Sequence, residues 1–126
     1  MKKILLIEDD PFLIDIYTTK LKEADYSVDT AEDGDTALRK VKDNPPDLML
    51  LDIVLPNFNG WEILRKIRSD KKTKNIKVII LSNLGEKDEI EKGMKLGATK
   101  YLVKAHYTPS EVVEEIKKII WIIKTY

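Results

Sequence analysis

At residues 48–60 the chain reads LMLLDIVLPNFNG. Four apolar residues run without interruption into Asp52, and three more follow before a turn rich in proline, asparagine and glycine. Such an unbroken apolar run is typical of a strand buried on both faces, as in a parallel sheet. Acids are often explained as helix caps or loop charges, but that explanation fits poorly for an aspartate embedded in apolar sequence. The stretch therefore predicts a buried strand that ends at a functional carboxylate.

The rest of the chain alternates between strand and helix. Short apolar segments predict strands at residues 4–7, 78–81 and 101–103, with a weaker one at 27–31. The stretches between them have helical periodicity and carry start signals, which are Asp10-Pro11, Asp35, Asn59-Gly60, Glu86 and the capping-box sequence Thr108-Pro109-Ser110-Glu111. Parallel strands need crossover connections, and these helices supply them. The pattern predicts a three-layer α/β domain, with a parallel sheet covered by helices on both faces.

The composition limits the classes of function. The chain has 126 residues, 22 of them basic and 22 acidic, and no cysteine. We expect one domain over residues 1–126, without room for a separate effector domain. The lack of cysteine excludes disulfides, thiolate zinc sites and a cysteine nucleophile. The longest apolar run is far shorter than the roughly 20 residues of a membrane span, so we expect a soluble protein without membrane contact. The lack of cysteine suits a reducing cytoplasm, so we expect a cytoplasmic protein.

The charge pattern gives no support for direct nucleic acid binding. The formal net charge is zero, whereas nucleic-acid-binding domains are commonly basic. Residues 65–77 contain seven basic residues and one acid, but no aromatic residues lie between them. This segment is more typical of a solvated helix end and loop. We therefore expect protein partners rather than DNA or RNA.

Chemically active residues follow the predicted strands. Glu8 and Asp9 follow the first strand and Asp52 the third, Ser82 ends the fourth, and Lys104 follows the fifth. The carboxyl ends of parallel strands share one edge of the sheet, where ligands bind. Carboxylates in one pocket repel each other unless a cation neutralises them, and oxygen ligands suit Mg²⁺ or Mn²⁺. A nearby hydroxyl and ammonium would complement an anion, so the spacing favours a metal-and-anion site over a set of helix caps.

The sequence resembles the receiver domain of two-component response regulators, of the single-domain, chemotaxis-regulator type. The resemblance rests on five motifs, Ile4-Leu5-Leu6-Ile7-Glu8-Asp9-Asp10, Asp52-Ile53-Val54-Leu55-Pro56-Asn57-Phe58-Asn59-Gly60, Ile79-Ile80-Leu81-Ser82, Gly97-Ala98 and Tyr101-Leu102-Val103-Lys104. Each motif alone is weak, but together they occur in order at matching strand ends. The resemblance implies a flavodoxin-like (βα)5 three-layer sandwich with a five-stranded parallel sheet of order 2-1-3-4-5.

The resemblance also implies which residues bind the phosphoryl group and the metal ion. Asp52 would be the phosphoacceptor, taking the phosphoryl group from a sensor histidine kinase, a histidine phosphotransfer protein or a small-molecule donor. Mg²⁺, or Mn²⁺ in its place, would bind to Glu8, Asp9, Asp52 and the backbone carbonyl of Val54. Phosphoryl transfer at such a site depends on alignment of the reacting groups and on stabilisation of their charge more than on covalent chemistry by the protein.

Three further residues would form the switch. Lys104 would contact the phosphoryl oxygens, Ser82 would donate its hydroxyl to one of them, and Tyr101 would be the aromatic residue whose rotamer follows Ser82. The new charge would pull the Ser82 loop inward. The surface made by the fourth helix, the fifth strand and the fifth helix would then change and bind a downstream protein target.

Four positions depart from the usual receiver pattern. Ala105 follows Lys104 where receivers usually have a proline in a cis peptide, and Asn83 stands where a small residue is usual. A cis bond before a residue other than proline costs about 2.5–4 kcal/mol, so we predict a trans bond. Val54 and Leu84, at the positions that commonly flank the phosphoryl group, are apolar. They cannot orient an attacking water by hydrogen bonding, so we predict slow self-dephosphorylation.

Two other functions compete with the signalling switch. A phosphohydrolase could use Asp52 as its nucleophile, but such enzymes typically carry a second aspartate two residues on, where this chain has Val54. A degenerate receiver that acts only as a protein-interaction scaffold would have lost Asp52, a metal-binding acid or the lysine, and none is lost. We therefore expect a switch rather than an enzyme, with only Mg²⁺-dependent self-phosphorylation and self-dephosphorylation.

The last predicted helix carries more apolar surface than one face requires. Trp121 and Ile122 fall outside the apolar arc formed by the other large residues of this helix. One explanation is a homodimer or partner surface on helices four and five that includes Trp121 and Ile122. The other is a frayed helix end with aromatic packing. The sequence leaves both open.

Overall fold

The computed structural model describes the backbone of residues 1–125 and the side chains of residues 1–120. Its strands are Lys3–Ile7 (β1), Ser27–Ala31 (β2), Leu48–Leu51 (β3), Val54–Leu55 (β4), Phe58–Asn59 (β5), Lys77–Ser82 (β6) and Lys100–Val103 (β7). Its helices are Pro11–Glu23 (α1), Gly34–Asp43 (α2), Gly60–Ser69 (α3), Lys87–Lys95 (α4) and Pro109–Thr125 (α5), and Lys104–His106 forms a 3₁₀ turn. Among these described helices, none is long and apolar enough to span a membrane.

One parallel sheet organises the molecule. Its strands lie in the order β2-β1-β3-β6-β7, which reads 2-1-3-4-5 when only the strands of this sheet are counted. The predicted flavodoxin-like fold and strand order are therefore confirmed. The register pairs Ile7 with Leu51, Leu51 with Ile80, and Ile80 with Tyr101. This register places the residues after β1 and β3 side by side at one edge.

The two remaining strands form a hairpin outside the main sheet. Val54 pairs with Asn59 and Leu55 with Phe58 in an antiparallel arrangement between β3 and α3. Asn57, in the turn, has φ 62°. Asparagine tolerates this left-handed backbone better than most residues because its short polar side chain can bond locally. This hairpin was not predicted from the sequence.

The sheet is buried on both faces because its strands are almost continuously apolar. On one face Leu5, Met49 and Ile80 belong to a core cluster with residues of α2 and α3. On the other face Ile4 and Leu50 belong to a second cluster with residues of α1 and α5. Almost every residue of the three central strands, β1, β3 and β6, thus loses its contact with water whichever way it points, whereas most residues of the edge strands β2 and β7 are half-buried. This burial is the main energetic reason for three layers.

The polar residues at the predicted helix starts act as caps at four of five positions. The side chain of Asp10 accepts a hydrogen bond from the Phe12 amide, and the side chain of Asn59 accepts one from the Glu62 amide. The capping boxes at α4 and α5 pair Glu86 with Glu89 and Thr108 with Glu111. Each cap satisfies amide groups that the first helical turn leaves without a backbone partner.

The predicted cap of α2 was wrong. The N-cap is Asp33, whose carboxylate accepts a 2.8 Å hydrogen bond from the Thr36 amide, whereas Asp35 lies within the first helical turn. Both aspartates suit the positive end of the helix dipole, so the sequence contains two candidates two residues apart. Asp33 has the extended backbone conformation that is typical of an N-cap residue, whereas Asp35 already lies inside the helix.

Helix α4 packs on the sheet in a different way from α2 and α3. Its only buried residue is Gly93, and a Cβ atom built there would lie 2.8 Å from both Ile80 Cδ1 and Tyr101 Cδ2. The helix therefore approaches β6 and β7 through a missing side chain rather than through an apolar stripe. A second contact joins it to α3, where the Lys92 ammonium lies 4.7 Å from the centroid of the Trp61 ring.

Candidate functional site

The residues predicted for the site lie at the carboxyl edge of the sheet. Glu8 directly follows β1 and Asp52 directly follows β3, Ser82 ends β6, and Lys104 directly follows β7. Two backbone hydrogen bonds hold the acids at this edge, from the Glu8 amide to the Ala31 carbonyl and from the Asp52 amide to the Ile7 carbonyl, each 3.0 Å long. The acids therefore continue the sheet for one more residue before the chain turns away.

Three carboxylates form a cluster that fits a divalent cation. Glu8, Asp9 and Asp52 each offer an oxygen, and these oxygens all lie within 4.8 Å of one another. Glu8 is 2% exposed and Asp52 is 7% exposed, while Asp9 is exposed to solvent. The Glu8 carboxylate is fixed by the amides of Asp9 and Asp10, at 3.0 Å and 3.2 Å. An all-oxygen donor set with one open side suits Mg²⁺ or Mn²⁺.

Lys104 is the counter-ion of the buried carboxylates. Its ammonium nitrogen lies 2.5 Å from Glu8 Oε1 and 3.0 Å from Asp52 Oδ2. Burial lowers the pKa of Lys104, but hydrogen bonds and charge interactions with Glu8 and Asp52 outweigh burial and raise this pKa above its usual value. Burial raises the pKa of Glu8, and the pairing with Lys104 opposes that rise. The lysine therefore stays protonated at neutral pH.

The peptide bond after Lys104 is trans, as predicted, because the described residues contain no cis peptide bond. The chain continues from Lys104 into the 3₁₀ turn through Ala105 and His106, both of which are exposed. Lys104 reaches Asp52 in this trans conformation, so the absence of the usual proline does not remove the lysine from the site.

The segment between β3 and α3, residues 52–60, is called the acceptor loop. Asp52 Oδ1 accepts a 3.3 Å hydrogen bond from the Val54 amide, and the Gly60 amide donates a 2.7 Å hydrogen bond to the Ile53 carbonyl. A Cβ atom at Gly60 would lie 2.5 Å from the Asp52 carbonyl oxygen. The loop is therefore closed tightly on itself directly behind Asp52, and a glycine is needed for the close approach.

The segment between β6 and α4, residues 83–86, is called the switch loop. Its Leu84 joins the two predicted switch residues through its backbone. The Leu84 amide donates to Ser82 Oγ at 3.2 Å, and the Tyr101 hydroxyl donates to the Leu84 carbonyl at 2.5 Å. Ser82 is fully buried. The predicted pair is therefore brought together, with Leu84 bonded to both residues.

Tyr101 lies against α4 with its hydroxyl on the switch loop. Burial raises the pKa of Tyr101 to about 12, with smaller contributions from the charges of Glu89 and Asp52. The ring carbon Cδ2 occupies the space that a side chain at position 93 would need. The role of Gly93 was not predicted from the sequence. The available signal was a glycine inside an otherwise helical stretch, which often marks a close approach.

A family model for the response regulator receiver domain matches residues 4–117. The alkaline phosphatase synthesis transcriptional regulatory protein PhoP of Bacillus subtilis (strain 168) is 34% identical over 121 residues, which are 94% of this chain and 48% of that protein. The chain thus spans about half the length of the curated relatives it matches.

Solved structures show the same likeness. The CheY-like response regulator receiver domain protein from Methanospirillum hungatei JF-1 has a TM-score of 0.90 at 26% identity, covering 99% of this chain and 98% of that one. The Mn(2+)-bound form of response regulator Rcp1 has a TM-score of 0.84 at 26% identity, covering 93% and 92%. With its fold, its edge of acids and the match over residues 4–117, the chain belongs to the response regulator receiver domain family.

Proposed function

We propose that this chain is a phosphorylation-activated signalling switch in which Asp52 accepts the phosphoryl group. The observation that carries the proposal is the position of the Asp52 carboxylate, which contacts the Lys104 ammonium and lies beside the carboxylates of Glu8 and Asp9. The donor would be a sensor histidine kinase or a histidine phosphotransfer protein, with small acyl phosphates as substitutes. Receiver domains act as signalling switches, and we propose that this chain also catalyses its own Mg²⁺-dependent phosphorylation and dephosphorylation.

The proposed transfer makes one bond and breaks one bond. A carboxylate oxygen of Asp52 attacks the phosphorus, the bond from phosphorus to the donor histidine nitrogen breaks, and that nitrogen keeps the electron pair and takes a proton from solvent. The product is an acyl phosphate. The Lys104 ammonium, already 3.0 Å from Asp52 Oδ2, offsets negative charge on the phosphoryl oxygens.

The proposed metal ligands are Glu8, Asp9, Asp52 and the backbone carbonyl of Val54. The clustered carboxylate oxygens fit Mg²⁺, with Mn²⁺ as an alternative, and the Val54 carbonyl stays a prediction. A divalent cation bound there would neutralise charge on the phosphoryl oxygens. Without a cation, Lys104 neutralises only part of the charge of Glu8 and Asp52, which leaves the site ready to bind one.

The proposed output is a change of the surface formed by α4, β7 and α5. A phosphoryl group on Asp52 would attract the Ser82 hydroxyl, and the switch loop would move with it because Leu84 bonds both Ser82 and Tyr101. Phosphorylation can shift this equilibrium only as far as it interacts differently with the two states. A downstream protein would read the shifted surface.

The partners that we propose are proteins, and the proposal concerns residues 1–126 as a single domain in the cytoplasm. PhoP is by its name a transcriptional regulator, and this chain covers 48% of it. The proposed homodimer through Trp121 and Ile122 concerns side chains outside the described residues. It stays a prediction, to be checked by sedimentation with and without a phosphoryl mimic.

A phosphohydrolase is the less favoured function. The position that would hold its acid/base aspartate is Val54, a residue that is 60% exposed and whose side chain cannot transfer a proton. A scaffold without phosphorylation is also less favoured, because the acids and the lysine are all in contact or close proximity at the edge of the sheet.

The test is Mg²⁺-dependent labelling by a small phosphodonor such as acetyl phosphate. We expect wild-type protein to gain one acid-stable, alkali-labile phosphoryl group, and we expect none in Asp52→Asn. Asp70→Asn is the matched control because Asp70 is an exposed acid at the far end of α3, and it should label like wild type. Equal labelling of Asp52→Asn and wild type would refute the assignment of Asp52.

A further inference from the structure

The phenyl ring of Phe58 occupies the space next to Gly34. Phe58 lies in β5, on the acceptor loop, and Gly34 is the buried first residue of α2. A Cβ atom at Gly34 would lie 2.3 Å from both Cγ and Cδ1 of Phe58 and 2.6 Å from its Cβ. These distances are far below van der Waals contact, so the ring can lie there only because residue 34 is glycine. The acceptor loop is therefore docked onto α2 through one aromatic ring.

A second element contacts the same ring. The ammonium of Lys66, on α3, lies 5.3 Å from the centroid of the Phe58 ring, within the range of a cation–π interaction. Phe58 is half-buried and packs on the core cluster that α2 and α3 share. The ring thus joins the hairpin to α2 and α3, the two helices on either side of it.

The hairpin that contains Phe58 also contains Val54, which is bonded to Asp52 of the proposed metal site. Phe58 pairs with Leu55, and the neighbouring pair joins Asn59 to Val54. The Val54 amide in turn donates to Asp52 Oδ1. The pair that contains Val54 is thus next to the pair that contains Phe58, so a shift of the ring also moves Val54. Val54 supplies both the amide bonded to Asp52 and the carbonyl that we propose as a metal ligand.

We infer that Phe58 and Gly34 form a positioning contact that sets the geometry of the divalent-cation site. Phe58 touches neither the cation nor the phosphoryl group in this scheme. It fixes the hairpin, so that the Val54 carbonyl and the Asp52 carboxylate are held together before a cation arrives. This inference rests on the proposed metal site. Groups that orient metal ligands from behind typically change metal affinity by about 10- to 100-fold when they are mutated.

The test compares Mn²⁺ binding, measured by the electron paramagnetic resonance signal of free Mn²⁺, with folding measured on the same samples by circular dichroism. We expect Gly34→Ala to weaken binding by about tenfold or more, because the new methyl group displaces the ring. Phe58→Ala should weaken binding by a smaller factor, because the hairpin is freed but not displaced. The double variant should bind no worse than Phe58→Ala, since the methyl group then enters empty space.

Two controls separate positioning from simple stability. Leu38→Ala removes a half-buried residue of α2 that packs on the same core, so it should lower stability but leave the Mn²⁺ affinity of the folded protein unchanged. Asp9→Asn removes a proposed ligand and should weaken binding strongly. If Gly34→Ala does not fold, the Mn²⁺ affinities of Phe58→Ala and the double variant, compared with that of wild type, still test the positioning role.

The outcomes distinguish the inference from the proposed function. Wild-type affinity in folded Phe58→Ala and Gly34→Ala, with Asp9→Asn impaired, would overturn the positioning role and leave the metal site standing. Additive losses in the double variant would also overturn it, because the two residues would then act independently. If wild type binds no Mn²⁺, or if Asp9→Asn binds as wild type does, the proposed metal site fails and the inference fails with it.

Discussion

The acceptor loop and the switch loop follow neighbouring parallel strands, yet the structure holds them very differently. The acceptor loop is paired with itself as a hairpin, closed by a hydrogen bond from Gly60 to Ile53, and docked on α2 through Phe58. The switch loop is joined to its surroundings mainly by Leu84, whose backbone bonds Ser82 on one side and Tyr101 on the other and whose side chain packs on the core.

This difference matches two separate requirements of a phosphorylation switch. The acceptor must hold its carboxylate and the metal ligands still, because phosphoryl transfer depends on alignment. The responding segment must be able to move at small energetic cost, and segments with few fixed contacts are the ones that do so. The glycines of the two loops allow each half of this comparison to be tested with a single added methyl group.

The largest effect is expected for Gly60→Ala in the acceptor loop. Its Cβ would lie 2.5 Å from the Asp52 carbonyl oxygen and 2.6 Å from Ile53 Cα, and backbone atoms cannot turn aside. We expect a loss of about 2–3 kcal/mol in the free energy of unfolding, measured by urea denaturation, together with slower phosphorylation of Asp52. Stability within about 0.5 kcal/mol of wild type would show that this loop is not rigid.

The next effect concerns the pH dependence of the contact between Tyr101 and the switch loop. The pKa of Tyr101 is raised from 10.0 to about 12, so the folded protein keeps this proton where the unfolded chain releases it. The resulting stability is fully present below pH 10 and is lost as the pH rises toward 12. The free energy of unfolding of wild type and Tyr101→Phe, measured as a function of alkaline pH, checks this. It should fall less steeply with pH in the variant. An equal decline in both would place the responsible group elsewhere.

Gly93→Ala tests whether Tyr101 depends on α4 for its position. The added methyl group would lie 2.8 Å from both Ile80 Cδ1 and Tyr101 Cδ2, and both neighbours are side-chain atoms that can move. We expect the ring to turn outward, the hydrogen bond to Leu84 to break, and the pKa of Tyr101 to fall toward its ordinary value of 10.0. Ultraviolet titration against a Tyr101→Phe reference measures this change. Helix propensity favours alanine, so overall stability should change little.

The two loops also contain one apolar residue each, Val54 and Leu84, that we expect to flank the phosphoryl group. We expect Val54→Asn combined with Leu84→Glu to raise the rate of self-dephosphorylation several-fold, because polar groups can orient an attacking water. Loss of radiolabel from phosphorylated protein gives the rate. Both backbones keep their hydrogen bonds in this variant, so the switch itself is retained. An unchanged rate would mean that these side chains do not control water attack.

The smallest effect is expected for Gly85→Ala in the switch loop, the counterpart of Gly60→Ala. Its Cβ would lie 3.1 Å from Val103 Cγ1, a side-chain methyl group that can shift by a few tenths of an ångström. The alanine also restricts the unfolded chain, which favours folding by about 0.4–1 kcal/mol. We therefore expect stability within about 0.5 kcal/mol of wild type in the same urea assay. A loss as large as that of Gly60→Ala would remove the distinction between the loops.

The sheet and the edge of acids could be predicted from the sequence because both depend on local signals. Continuous apolar runs mark strands buried on two faces, and the acids directly follow those runs. Residues 4–7 and 48–51 carry this signal most clearly. The strand order came from the family resemblance, since hydrophobic pattern alone does not say which strands are neighbours.

The contacts that could not be predicted join residues far apart in the sequence. Nothing near Gly34 indicates that Phe58 will lie against it, and nothing near Gly93 names Tyr101 as its neighbour. The hairpin was missed because each of its strands has only two residues, which is too short for an alternating pattern. The cap of α2 was misplaced because Asp33 and Asp35 are chemically equal and only backbone geometry distinguishes them.

The contact between Lys92 and Trp61 crosses from the helix that the proposed switch would move to a helix next to the fixed acceptor loop. Because the ammonium lies 4.7 Å from the centroid of the indole ring, any displacement of α4 alters the electrostatic environment of that ring. The chain has two tryptophans, and in a Trp121→Phe variant all indole emission would come from Trp61. The molecule thus carries a built-in fluorescent reporter, which would allow the response of α4 to be followed in real time without an attached dye.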